Sequence, residues 1–490
     1  MTVDYAKLIQ ECDAAIRAGD DKAALLRLGT VNGRLVPRRF RVSLANLCRR
    51  AGLIRLGLKV LTPVVRPGNR IPVQPTAAEK AEYALLLQRT GAVREAVEIL
   101  RSIAPLSLPD TLIYQALCHF NRWNYEAAIP LLQEFLGYPL DAYKRLIGAV
   151  NLIAALIITE EFEQGAALLD ETQAELKKRG LTRLLGNCHE LRAQIHIAHH
   201  NLSLAGQELD EASRLVRRAG GLDLLFVDKW RSIVEAFAAE NPAPITTFKA
   251  RALQFGDWEC VREATLFELM FIRDQERIEH LYVGTPFDMY RRRIVRSLDL
   301  REIPTQYLLG TPGSPCLDLS TGRINDQLRL APGKKVHQLI AALLADFYRP
   351  RSLGELFSEL FPDEYFSIFS SPNRMHQLFS RARAWLKTED IPLSIEEQSG
   401  FYHLRIRESI SIRVSCPQPR PSIHAARLDL LKRMVTPADI FWASEMCLRM
   451  NLSSTSFKEF IRWAMSEGFV KRFGGSSGTF YRLNVSSEAS

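Results

Sequence analysis

"GAVREAVEIL" (91–100), "WNYEAAIPLL" (123–132), "EEFEQGAALL" (160–169) and "HNLSLAGQEL" (200–209) are four versions of one pattern, and their spacing decides the fold. Each sets a small residue at the same place in an apolar stripe of helical period: Ala96, Ala128, Gly165 and Ala205, at steps of 32, 37 and 40 residues. A second small residue precedes each one. Ala84, Ala116 and Ala193 stand twelve positions earlier, and Ala154 stands eleven positions before Gly165. Two helices approach closely only where bulky side chains are absent, so repeated pairs of small residues predict repeated pairs of helices. Such units bury their apolar faces against their neighbours and stack into a solenoid.

Working outward, this pattern resembles the tetratricopeptide repeat over about residues 76–275. The resemblance implies a concave surface that receives a protein or peptide partner; the plainer reading of these helices is a scaffold, or a surface that pairs two copies of the chain as a homodimer. Residues 4–70 keep the helical period and read as further hairpins, with a basic run of Arg38, Arg39, Arg41, Arg49, Arg50 and Arg55. That run suits nucleic acid or an acidic partner, although charge runs more often lie on solvated faces. His196 and His200 share one helix face in a cluster with Cys188, His189 and His199. Their i, i+4 spacing can grip a metal, but no second ligand pair accompanies it, and no metal or cofactor is expected.

Composition sets limits on the rest. The 490 residues, 47% hydrophobic and 24% charged, fit a folded protein of about three domains. Charge is unevenly spread: residues 1–75 hold 14 Lys and Arg against 5 Asp and Glu, residues 76–304 hold 27 against 32, residues 305–410 hold 12 against 12, and residues 411–490 hold 11 against 6. The eight cysteines are scattered with no C-x-x-C pair, which argues against a zinc ribbon. The start of the chain reads as an amphipathic helix and no stretch reaches the ~20 apolar residues of a membrane span. A cytoplasmic, nucleoid-associated protein is expected.

Near residue 304 the chain changes character. A stretch with Pro304, Gly310, Pro312, Gly313 and Pro315 reads as a loop or linker. Alternating residues around a Thr321–Gly322 turn then predict a hairpin. Three helices follow, in "KVHQLIAALLADFY" (335–348), "SLGELFSELF" (352–361) and "SPNRMHQLFSRARAWLK" (371–387), and then a second hairpin in "LSIEEQSGFYHLRI" (393–406). In the third helix Met375, Leu378, Phe379, Ala382, Trp385 and Leu386 form a core stripe. Asn373, Arg374, Gln377, Arg381, Arg383 and Lys387 lie off it, and no Asp or Glu occurs from Tyr365 through Thr388. Lys and Arg neutralise phosphates, while Asn, Gln and Arg pair with base edges.

This order resembles the winged-helix output domain of two-component response regulators. Arg381, Arg383 and Leu386 in "SRARAWL" stand at its basic helix element, and Gly400, Phe401, Tyr402 and Leu404 in "SGFYHL" stand at its closing hairpin. Ser399 occupies the place of that hairpin's first glycine. The resemblance implies that the third helix enters a major groove and that the hairpin, as a wing, follows the flanking backbone or minor groove.

After "CPQPRPS" (416–422), three more helices are expected over 423–434, 436–451 and 453–470, the second capped by Thr436 and Pro437. Two strands then flank Gly474–Gly478. This layout resembles a second winged helix, with Ser454, Ser456, Lys458 and Arg462 on its third helix and Lys471 and Arg472 on its wing as candidate DNA contacts.

No P-loop, Rossmann, H-E-x-x-H or G-x-S-x-G motif occurs, and an enzyme is not expected. The sequence therefore predicts a mainly α chain. Basic helical hairpins (1–75) and an α-solenoid (76–300) precede two α+β winged-helix domains (305–410 and 420–490). The expected function is a DNA-binding transcriptional regulator with a protein-interaction region and double-stranded DNA as partner. The alternative is a non-enzymatic scaffold subunit whose winged helices dock protein.

Overall fold

The computed structural model describes residues 4–17, 20–66, 74–217, 221–325, 327–407, 410–416, 423–437, 439–474 and 479–484. The described residues are mainly α-helical, and their small sheets all lie from Gln306 onward. It forms two compact units: Met1–Ile303 with Phe347–Met375, and Pro304–Asp346 with His376–Ser490.

The first unit is built from helical hairpins. Tyr5–Arg17 and Asp21–Gly29 are followed by Arg38–Arg50 and Ile54–Val65. The repeats proper then run Ala77–Thr90 with Val93–Arg101, Asp110–Phe120 with Tyr125–Gly137, Ala142–Ile158 with Phe162–Arg179, and Thr182–Ala198 with Leu202–Val216. Gly221–Ala239 with Ala243–Phe255, Trp258–Phe271 with Gln275–Val283, and the closing helix Asp288–Ser297 complete it. Ala84, Ala96, Ala116, Ala128, Ala193 and Ala205 are all fully buried, as the small-residue pattern requires. In the third repeat the fully buried alanine is Ala155, while Ala154 is only half-buried, so the register there differs by one from the sequence reading.

The turns repeat as faithfully as the helices. Gly91, Trp123, Glu160, His200 and Glu240 each take a left-handed φ, between 50° and 92°. The next residue's N–H (Ala92, Asn124, Glu161, Asn201, Asn241) donates to the carbonyl five positions back at 2.8–3.0 Å. This is the helix-ending bond that satisfies an otherwise orphaned carbonyl. His200 is therefore a turn residue. His189 Nδ1 lies 2.5 Å from the Glu208 carboxylate and His199 Nδ1 lies 2.8 Å from the Ile195 carbonyl, so the histidines serve local contacts.

The basic run finds its acidic partner inside the chain. Arg38 donates twice to the buried Glu79, at 2.8 and 2.7 Å, and holds that carboxyl below its ordinary range. Arg49 donates to the buried Glu82 at 2.7 Å, and Arg50 pairs with Asp13 at 2.6 Å. Arg38, Arg49 and Arg50 clamp helix to helix, whereas Arg39 and Arg55 are exposed, so only part of the run faces outward.

In the second unit, Gln306–Gly310, Ser411–Ser415, Cys316–Asp318, Arg323–Ile324 and Gln327–Leu328 form a sheet in that spatial order. Ser411–Ser415 lies between the first two, antiparallel to Gln306–Gly310 and parallel to Cys316–Asp318. Neither of these two strands was legible in the sequence: 306–310 sits in the stretch read as a loop, and 411–415 lies beyond the expected boundary at 410. Lys335–Leu343, the helix Ser371–Thr388 (whose first residues, to Met375, belong to the first unit) and a hairpin of Leu393–Gln398 with Phe401–Ile406 follow the predicted order. The turn Ser399–Gly400 has φ of 54° and 83°, the two-residue geometry that suits strand twist.

The 423–484 stretch holds Ile423–Met434, Ala443–Arg449 and Ser454–Ser466, with Ile440–Phe441, Val470–Phe473 and Phe480–Leu483 in one sheet. Thr436 does not open a helix. Its N–H and hydroxyl both donate to Asp439, at 2.9 and 2.7 Å, and Ile440–Phe441 then leaves as a strand. The second helix is accordingly shorter than expected.

Two stability tests follow from the packing. A Cβ at Gly165 would meet only Ile157 and Leu156, at 3.4 and 3.7 Å, whereas one at Gly148 would meet the Phe135 ring at 2.7 Å. Gly165→Ala should raise the thermal midpoint through ~0.5–1 kcal/mol of helix propensity, and Gly148→Ala should lower it.

His337 supplies a pH test in the second unit. It is buried, accepts the Gly333 N–H at Nδ1 (3.2 Å) and donates from Nε2 to the Leu319 carbonyl (2.7 Å). Burial holds it below its ordinary value of 6.5, so the folded state keeps it neutral. The unfolded chain binds the proton more readily, and stability should fall as the pH drops below about 6.5. In urea titrations across pH, His337→Gln should remove that share of the loss.

Candidate nucleic-acid interface

The helix Ser371–Thr388 splits cleanly into two faces. Met375, Leu378, Phe379, Ala382 and Leu386 are buried and Trp385 is half-buried, while Asn373, Arg374, Gln377, Arg381, Arg383 and Lys387 are exposed. Phe379 stacks on Tyr402 of the following hairpin with ring centres 4.2 Å apart and an angle of 16°, which fixes helix against hairpin.

The exposed cations are not equivalent. Arg381 and Lys387 have no ion-pair partner among the described residues. Arg383 donates from Nη2 to the Ile395 carbonyl at 3.0 Å, so it is tied to the hairpin. Arg374 lies over the Phe361 ring, 4.2 Å from its centre, and is paired with Glu364. The sequence shows no acid within the helix, but Glu364 stands just outside the window and returns to the first turn. Asn373 and Gln377 remain available.

The hairpin carries both signs of charge. Glu396 and Glu397 lie beside its tip, and Glu397 accepts the Gly400 N–H at 3.0 Å. His403 and Arg405 both face Glu396. Phe401 is exposed at the turn.

In the C-terminal module the Ser453 hydroxyl accepts the Ser456 N–H at 3.1 Å and caps the helix Ser454–Ser466. Ser454, Lys458 and Arg462 are exposed on it, and Ser456 is half-buried. Lys471 and Arg472 are exposed on the strand Val470–Phe473, with Arg482 directly across from Lys471. Residues 475–478 of the expected wing lie outside the described residues. Exposed Ile440, Trp442, Leu448, Met465 and Phe473 are also found in this module.

No protein-family model matches the chain, and no curated protein matches it. Among solved structures, a tetratricopeptide repeat protein from Parabacteroides merdae is 14% identical, covering 54% of this chain and 98% of its own, with a TM-score of 0.38. The apo form of RapI is 12% identical, covering 60% of this chain and 94% of its own, also at 0.38. Neither likeness bears on activity. No helix among the described residues is long and apolar enough to cross a membrane.

The two central arginines should separate on mutation. Arg383→Ala removes the bond to Ile395 and should cost about 1 kcal/mol of stability. Arg381→Ala should leave the urea midpoint unchanged.

Proposed function

We propose that the chain is a DNA-binding regulator in which the helical repeats receive a protein partner and the helix Ser371–Thr388 binds duplex DNA. The observation that carries this reading is the exposed Arg381 and Lys387, flanked by Gln377 on a helix that contains no carboxylate. An ordinary exposed helix face mixes both signs and pairs them at i, i+4; this one leaves cations unneutralised, which a polyanion satisfies. Lys458, Arg462 and Lys471 extend the same chemistry to the C-terminal module. The fold of the repeats supports a protein-interaction surface.

The scaffold reading keeps one specific support. The Glu396 and Glu397 pair and the exposed apolar side chains around Trp442 suit a protein surface better than a phosphate backbone.

Titration of the full chain with mixed-sequence duplex at several salt concentrations separates the two. If about five phosphates are touched, log affinity should fall against log salt with a slope of about −4.5. Arg381→Ala and Lys387→Ala should each flatten that slope by about 1. Glu364→Gln frees Arg374 and should strengthen binding. Absence of binding, or affinity independent of salt in every variant, would reject the DNA reading.

A further inference from the structure

The segment Phe347–Met375 packs with the repeats at two places. Near one end of the array the Phe347 N–H donates to the Gly284 carbonyl at 3.0 Å, and the His280 ring lies 5.2 and 5.6 Å from the rings of Phe347 and Tyr348. Near the other, the Ser352 hydroxyl donates to the Thr90 carbonyl at 2.9 Å. A Cβ at Gly354 would stand 2.1 Å from that same carbonyl oxygen, so the helix Leu353–Leu360 rests directly on the repeat backbone.

Glu95 makes the contact that reaches furthest. Its carboxylate, 4% exposed, accepts the Phe366 N–H at 2.7 Å and pairs with Arg66. The Arg66 guanidinium in turn lies 3.7 Å from the centre of the Tyr365 ring. Burial raises the Glu95 carboxyl, while the amide and the guanidinium favour its charged form. A buried carboxylate stripped of such partners is costly, so this bond holds the loop to the repeats. The next residue carries the constraint onward. The Ser367 N–H donates to the hydroxyl of Ser371, which is 1% exposed, and the Ser371 N–H donates back to the Ser367 carbonyl, both at 2.9 Å. One residue thus separates the Glu95 contact from the first turn of the helix Ser371–Thr388, the turn that carries Asn373 and Arg374.

We propose that Glu95, together with Arg66, is a positioning residue for duplex binding: through Phe366 and Ser367 it fixes the first turn of the helix Ser371–Thr388, the turn that carries Asn373 and Arg374. The inference rests on the DNA reading above. Any partner that disturbs the repeats around residues 66–95 then alters DNA affinity without touching DNA.

The test uses the full chain, a mixed-sequence duplex as probe and amide exchange as a second readout. Glu95→Ala should speed exchange at Phe366 and Ser367 by about tenfold and weaken duplex binding by a similar factor. The salt slope should stay as in the wild type, because no phosphate contact is lost. Glu95→Gln keeps an oxygen that can accept the Phe366 N–H and should recover most of the affinity. Glu98→Gln, a half-exposed neighbour on the same helix, should change neither readout. If Glu95→Ala does not fold, Arg66→Gln carries the same expectations.

Faster exchange with unchanged affinity, or unchanged exchange, would overturn the positioning role and leave the DNA reading intact. A wild-type chain that fails to bind the duplex would overturn the DNA reading, and the positioning role with it.

Discussion

An isolated pair of short helices cannot bury enough apolar surface to stand alone, and this constraint shapes the first unit. Each hairpin closes on fully buried alanines such as Ala96 and Ala128 and on the left-handed turn that follows its first helix. Stacking then supplies the core that no hairpin owns. The stack needs contact at its interfaces only, so its repeat lengths drift from 32 to 40 residues while the turn stays constant.

Charge follows the same division of labour. Basic N-terminal hairpins meet acidic repeats, and Arg38 and Arg49 end on the buried Glu79 and Glu82, where removal of either partner would leave a charge stranded. Further along, Glu263 gathers Lys229 and Arg293 in the same way. Arg381 and Lys387, on a helix that contains no carboxylate, have no ion-pair partner among the described residues. Lys387, in the last turn of the helix, gains about 0.3–1 kcal/mol at most from the helix dipole, which does not replace a carboxylate.

The repeats were legible because small residues and helical period are local signals that stacking preserves. The helix 371–388 and the Ser399–Gly400 hairpin were legible for the same reason. What the sequence hid is non-local. Glu364 neutralises Arg374 from outside the helix, and no window centred on the helix contains it. The strand 411–415 alternates inward Ile412 and Val414 with outward Arg413, a signal present in "SISIRVS" but readable only once its two neighbours, about 100 residues earlier in the chain, are known. The docking of 353–375 on the repeats depends on Gly354, Glu95 and Arg66, none of which belongs to a motif. Thr436 with Pro437 has the composition of a helix start, and Asp439 captures it first.

The central claim concerns one surface, and the ε-amine of Lys387 reports on it directly. Acetylation of the full chain with a limiting reagent, with and without saturating mixed-sequence duplex, measures how far that amine is shielded relative to lysines on the repeats, such as Lys178. The account predicts that duplex slows modification of Lys387 selectively. Equal labelling of Lys387 in the presence and absence of bound duplex would contradict it.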